Sequence, residues 1–172
     1  MSPHSKVRRI RVLIADDHPV TRDGLAALLG RRPDFEVMGE ACNGEQAVSM
    51  ASSLQPDVIL MDLRMPVLDG FAAIEQIVRS HPNAGILVMS TYDGDEDVRR
   101  ALRAGARGYL LKDSSREQVW EAVRAVFSGG NAISPSLVPQ MAAALTQPEL
   151  TRRELEVLRC LSRGESNKAI AL

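Results

Sequence analysis

Residues 10–129 alternate short aliphatic runs with amphipathic stretches, and that alternation limits the folds open to the chain. The runs fall at 10–15, 35–41, 58–61, 86–89 and 108–111, each bounded by Asp, Gly, Pro or Asn. Uninterrupted apolar character of this length is what a strand covered on both faces requires. The intervening segments have helical spacing: Leu25, Leu28 and Leu29 before Gly30; Ile74, Ile77 and Val78; Val98, Ala101 and Leu102 before Gly105. Ser114 and Glu117 read as a capping box for a fifth helix, with Val119, Ala122, Val123 and Val126 as its buried stripe and Gly129 as its stop. Trp120 and Phe127, seven apart, extend that stripe towards its rim. Five strands alternating with five helices predict an α/β fold, a doubly wound parallel sheet with helices on both faces.

After residue 130 the alternation ends. The stretch 131–149 contains Pro135, Pro139 and Pro148 around an Ala-rich piece at 141–145, and it reads as a linker with room for one helix. From Leu150 a strandless unit begins. Thr151 and Glu154 form another capping box, Leu155, Leu158 and Leu161 its stripe, and Gly164 its end; Ser166 opens a further helix in which the sequence stops at Leu172. Residues 150–172 carry five basic and three acidic side chains, a net +2 against −3 for the rest of the chain. The asymmetry favours an acidic front domain and a back end that faces a polyanion. Residues 1–8 read as a disordered tail.

Composition closes several routes. The 172 residues are 45% hydrophobic and 25% charged, which suits a globular protein with a core. No apolar run approaches the ~20 residues of a membrane span, and the start lacks the apolar core of a secretion signal. The cytoplasm is therefore the expected compartment, with no membrane partner. Cys42 and Cys160 belong to no metal-binding cluster and read as small buried apolar residues.

In an open parallel sheet, function gathers beyond the carboxyl ends of the strands. The first run leads directly into Asp16 and Asp17, and the third into Asp62. One acidic pair after a strand is ordinarily a solvated loop; acids at two neighbouring strand ends are harder to ascribe to chance. Clustered carboxylates repel one another unless a proton or a cation sits among them. An all-oxygen set selects a hard divalent ion, and few carboxylates with several waters favour Mg²⁺. Such a cation would also neutralise an incoming phosphoryl group and leave one carboxylate oxygen as its acceptor. The fourth strand brings Ser90 and Thr91 to the same edge and the fifth brings Lys112, a hydroxyl and an ammonium suited to phosphoryl oxygens.

With Asp16-Asp17, the run Asp62-Leu63-Arg64-Met65-Pro66-Val67-Leu68-Asp69-Gly70, Ser90-Thr91, and Tyr109 three before Lys112, residues 10–129 resemble the receiver domain of bacterial response regulators. The resemblance implies a five-stranded flavodoxin-like sheet of order 2-1-3-4-5 over 9–130. It implies Asp62 as phosphoacceptor, with Asp16, Asp17, Asp62 and the Arg64 backbone carbonyl as Mg²⁺ ligands. Ser90 and Lys112 would bind the phosphoryl group, and Ser90, Thr91 and Tyr109 would form the switch. On this reading phosphorylation draws the Ser90 hydroxyl inward and opens space for Tyr109. Asp113 follows the lysine where many receivers have proline, which removes any presumption of a cis bond there.

Residues 150–172 resemble the opening of a LuxR-type helix-turn-helix, departing from it at Ala169, where glutamate is common. The recognition helix that would read bases is absent, so the expectation is a truncated regulator of the NarL/FixJ family, with no complete DNA-binding residue set. The implied partners are a sensor histidine kinase, DNA through the full-length output domain, and a second copy in a homodimer when active. The function expected is transcription control through Mg²⁺-dependent phosphorylation of Asp62, not enzymatic turnover. An aspartyl-phosphate hydrolase would need an acid two places after the nucleophile, where Arg64 stands. A nucleotide binder would need a glycine cradle, and neither phosphate-binding glycine motif occurs. His4 and His81 suggest no chemistry; His18 borders the acidic pair.

Overall fold

The computed structural model of the chain describes residues 8–91 and 94–138. Five strands, β1 (Ile10–Ala15), β2 (Phe35–Ala41), β3 (Val58–Met61), β4 (Gly85–Ser90) and β5 (Gly108–Leu111), alternate with five helices. These are α1 (Pro19–Gly30), α2 (Gly44–Leu54), α3 (Gly70–Ser80), α4 (Asp95–Ala104) and α5 (Arg116–Phe127). A short sixth strand, β6 (Ala132–Ile133), completes a sheet of order β2-β1-β3-β4-β5-β6 in which every pairing is parallel. The core order is the one expected, 2-1-3-4-5.

Period two along each strand sorts the core into two faces. Leu13, Ile59, Met61, Ile86, Val88 and Tyr109 pack with α2, α3 and α4. Their sequence neighbours Val12, Ile14, Val58, Leu60, Leu87 and Leu110 pack with α1 and α5. Trp120 lies at the edge of the second face, where its indole Nε1 donates to the Leu28 carbonyl at 3.2 Å. Phe127 is exposed.

Three local expectations differ from what is observed. The cap of α5 is Ser115, not Ser114: its side chain accepts from Gln118 N–H, and the Gln118 side chain accepts from Ser115 N–H. The overlapping Ser114–Glu117 pattern loses because Ser114 N–H closes the preceding turn on the Leu111 carbonyl. The stretch read as a linker opens with β6, followed by a 3-10 turn at Pro135–Leu137 that buries Leu137. Two residues with weak periodicity become a strand because β5 offers an unpaired edge. Cys42 is half-buried rather than buried, and its thiol lies 3.2 Å from Gln46 Oε1.

The chain divides into two units, Met1–Met141 and Ala142–Leu172. The second unit lies outside the described residues, and with it the helices expected over 141–145 and 150–172. Among the described residues no helix is long and apolar enough to cross a membrane.

Candidate functional site

Strand register alone brings the acids together. Ala15 is paired with Met61, so the next residues, Asp16 and Asp62, emerge side by side, with Asp62 N–H donating to the Ala15 carbonyl at 2.8 Å. Ser90, the last residue of β4, is paired with Leu111, so Lys112 follows beside it and donates its N–H to the Ser90 carbonyl at 2.8 Å. Each strand end thus places its polar residue at one sheet edge, as the sequence predicts.

Asp16 and Asp62 are almost wholly buried, at 1% and 4% exposure, whereas Asp17 is half-buried. Lys112 Nζ lies 2.6 Å from Asp16 Oδ2 and 3.4 Å from Asp62 Oδ1. His18 Nδ1 lies 2.8 Å from Asp17 Oδ1. Despite that proximity, Asp16 Oδ2 and Asp17 Oδ1 are buried without a well-aligned hydrogen bond. Charge contacts and orphaned lone pairs coexist on the same oxygens, since distance alone does not make a hydrogen bond. Ligand atoms of Asp16, Asp17, His18 and Asp62 fall within 4.8 Å of one another, so these residues could hold a metal ion. Oxygen-rich donors with unsatisfied lone pairs fit Mg²⁺.

Burial pushes the Asp62 carboxyl above its ordinary range; the Lys112 ammonium pulls it back and the Asp16 charge pushes it further up. Because the folded value exceeds the unfolded one, ionised Asp62 disfavours the fold. The cost is absent below the unfolded pKa, grows as pH rises, and is complete above the folded pKa. Asp62→Asn is therefore expected to raise the Tm of metal-free protein at neutral pH, and to lose that advantage in acid. Each kcal/mol relieved corresponds to about 4 °C in a thermal melt.

The loop after Asp62 is held tightly. Asp62 Oδ1 accepts from Leu63 N–H at 2.9 Å, and the Arg64 N–H also reaches the carboxylate. Val67 has φ +69°, and Leu68 N–H closes on the Pro66 carbonyl at 2.8 Å around it, a strained three-residue turn carrying an exposed β-branched side chain. Strain of this kind persists where surrounding contacts over-determine it. Those contacts are Gly44 N–H to the Leu68 carbonyl and Gly70 N–H to the Leu63 carbonyl. Asp69 caps α3 through Ala72 N–H.

Tyr109 is fully buried, and its hydroxyl and the Ser90 hydroxyl are hydrogen-bonded to each other. The aromatic expected to move inward is thus already inside, packed among Ile86, Val88 and Val98 in the core shared with α4. Thr91 is exposed and, with Ser90 and Lys112, lines a cavity of about 270 Å³ beside the acids.

Two contributions escaped the sequence reading. Arg22 donates from Nη1 to the Asp16 carbonyl at 2.7 Å and faces Glu40 at 3.6 Å, holding the acidic loop from the first turn of α1. Its proximity in sequence to Asp16 is the one signal that could have found it. The Arg64 side chain reaches Asp97 on α4 at 2.6 Å, a long-range pair that no local pattern announces.

Residues 12–124 match the response regulator receiver domain family, and residues 148–172 match the luxR family of bacterial regulatory proteins. The chain belongs to the response regulators. It joins a receiver to a LuxR-type DNA-binding domain, the arrangement of two-component transcriptional regulators of the NarL/FixJ family. The nitrate/nitrite response regulator NarL of Escherichia coli K12 is 38% identical over 169 residues, covering 93% of this chain and 78% of that protein. The receiver domain of a putative response regulator NarL from Mycobacterium tuberculosis superposes with a TM-score of 0.68 at 37% identity, over 71% of this chain and 98% of that one. A structure of RcsB dimers bound to DNA gives 0.78 at 25% identity, over 95% and 87%.

Proposed function

We propose that this response regulator is switched by phosphorylation of Asp62, with Asp16, Asp17 and the Arg64 carbonyl completing a Mg²⁺ site and a sensor histidine kinase as donor. The observation that carries this is the convergence of buried Asp16 and Asp62 on Lys112, beside acceptor atoms left without aligned donors. A bound divalent ion supplies charge neutralisation for the phosphoryl group and the carboxylates. An Asp62 carboxylate oxygen attacks phosphorus; the new O–P bond forms as the N–P bond of a phosphohistidine breaks, and the departing imidazole takes up a proton. Lys112, a point charge between Asp16 and Asp62, turns towards the added phosphoryl oxygens.

The Ser90 hydroxyl then serves the phosphoryl group, at the expense of its bond to Tyr109. Because Tyr109 already lies inside, the signal is this exchange of partners rather than an inward swing. Thr91, at the mouth of the same cavity, moves with Ser90. On this reading the output is DNA binding through the LuxR-type domain by a homodimer, the arrangement in the RcsB–DNA structure, and the compartment in which it works is the cytoplasm. The chain is a regulator rather than an enzyme that turns over an external substrate. A phosphohydrolase would want an acid where Arg64 stands, and that side chain is committed to Asp97.

Incubation with acetyl phosphate and Mg²⁺, read by intact mass, is expected to add one phosphoryl group, and chelation by EDTA to prevent it. An unmodified mass in the presence of Mg²⁺ would overturn the proposal.

A further inference from the structure

Helix α4 is held by few apolar side chains: Val98 and Ala101 are buried, Leu102 and Ala104 partly so, and six of its ten residues are charged. Two ion pairs join it to the segment after Asp62, and they run in opposite senses. Arg64, two places past the acid, donates from Nη2 to Asp97 Oδ2 at 2.6 Å. Arg100, about one turn further along α4, reaches back to Asp69 Oδ2 at 3.9 Å. Both guanidinium groups meet the buried Phe71 ring, Arg100 at 4.0 Å from its centroid and Arg64 at 6.0 Å. Loop and helix are thus cross-braced through one aromatic ring.

The first of these pairs stands beside the switch. Asp97 is only 19% exposed, so its bond to Arg64 is less screened than a surface pair. Burial raises the Tyr109 hydroxyl above its ordinary range and the Ser90 hydrogen bond lowers it; the Asp97 charge raises it again and Arg64 lowers it. At its other end, the Arg64 N–H reaches the Asp62 carboxylate. One residue therefore touches the acid with its main chain and α4 with its side chain.

We propose that the Arg64–Asp97 pair is an autoinhibitory contact: it holds α4 against the loop in the unphosphorylated protein, and a phosphoryl group on Asp62 opens it by drawing Arg64 away. Phosphorylation adds up to two negative charges within two residues of the guanidinium, which a planar fork of donors binds better than a single carboxylate. Asp97, left uncompensated, is then repelled by the same charge, and α4 loosens at its amino end. The inference rests on the reading of Asp62 as phosphoacceptor and adds to it a second side chain that changes partner.

Hydrogen exchange of the α4 amides in the full chain, read by mass spectrometry, tests this, with phosphorylation by acetyl phosphate and Mg²⁺ verified by intact mass. In wild type, phosphorylation is expected to speed exchange over Asp95–Ala104 about threefold, the scale of a partly screened ion pair. Asp97→Asn keeps the shape and drops the charge. It is expected to exchange at that faster rate before phosphorylation and to gain almost nothing after it. The swap of Arg64→Glu with Asp97→Arg re-forms the pair and should return resting exchange to the wild-type rate. A full threefold gain in phosphorylated Asp97→Asn would overturn the proposal, reducing the pair to a structural contact. Wild-type exchange that ignores a phosphorylation the mass confirms would overturn it too. Absence of added mass would instead sink the Asp62 reading, which keeps the two failures apart.

Discussion

Asp62→Asn is expected to abolish covalent phosphorylation by acetyl phosphate, while Asp57→Asn leaves it intact. The two aspartates bracket β3 at its opposite ends. Asp57 accepts from Arg11 N–H at 2.9 Å and pairs with Arg8, so both its oxygens are spent on neighbouring chain. Asp62 instead faces the Lys112 ammonium and the Asp16 carboxylate at the opposite sheet edge. An amide in place of the Asp62 carboxylate keeps the shape but removes the nucleophilic oxygen, so the loss is complete rather than partial. Phosphoryl incorporation, read by mass with each variant's fold verified by circular dichroism, decides the matter. Equal labelling of wild type and Asp62→Asn would move the acceptor elsewhere.

Gly70→Ala is expected to cost about 3 kcal/mol of stability, at the upper end of overpacking effects. A Cβ at this position would come within 2.1 Å of the Asp62 carbonyl oxygen and 2.7 Å of the Leu63 Cα. Those are backbone atoms of the Asp62–Leu63 segment itself, so no side-chain rotamer relieves the clash. The glycine is needed for close approach of α3 to that segment and not for an unusual dihedral. Urea unfolding with unchanged m-value measures the loss. Gly24→Ala, on α1 with nothing within 4 Å of the added carbon, is the control expected to be neutral or mildly stabilising.

Most of this site was legible because it is built from sequence-local events. A strand that ends in an acid puts the acid at the sheet edge, and period two decides which residues face each helical layer. The ends of β1, β2, β3 and β5 coincide with the apolar runs because Asp, Cys-Asn, Asp and Lys interrupt them sharply. β4 extends by one residue each way, since Gly85 and Ser90 pair as well as their aliphatic neighbours although neither looks apolar. What was not legible depends on three-dimensional neighbours. β6 exists because β5 has a free edge. Tyr109 meets the Ser90 hydroxyl because β4 and β5 are paired. Arg64 finds Asp97 across 33 positions of chain. Two overlapping Ser-x-x-acid/amide patterns preceded α5, and only the turn that consumes Ser114 chose between them.

The small sixth strand has a mechanical consequence. Ile133 is in register with Tyr109, and Ser134 N–H is fastened to the Tyr109 carbonyl at 3.1 Å. The chain at Ser134 is thereby stitched, peptide to peptide, to the residue whose hydroxyl is bonded to that of Ser90. A displacement of that tyrosine's main chain would reach Ser134 through this one hydrogen bond.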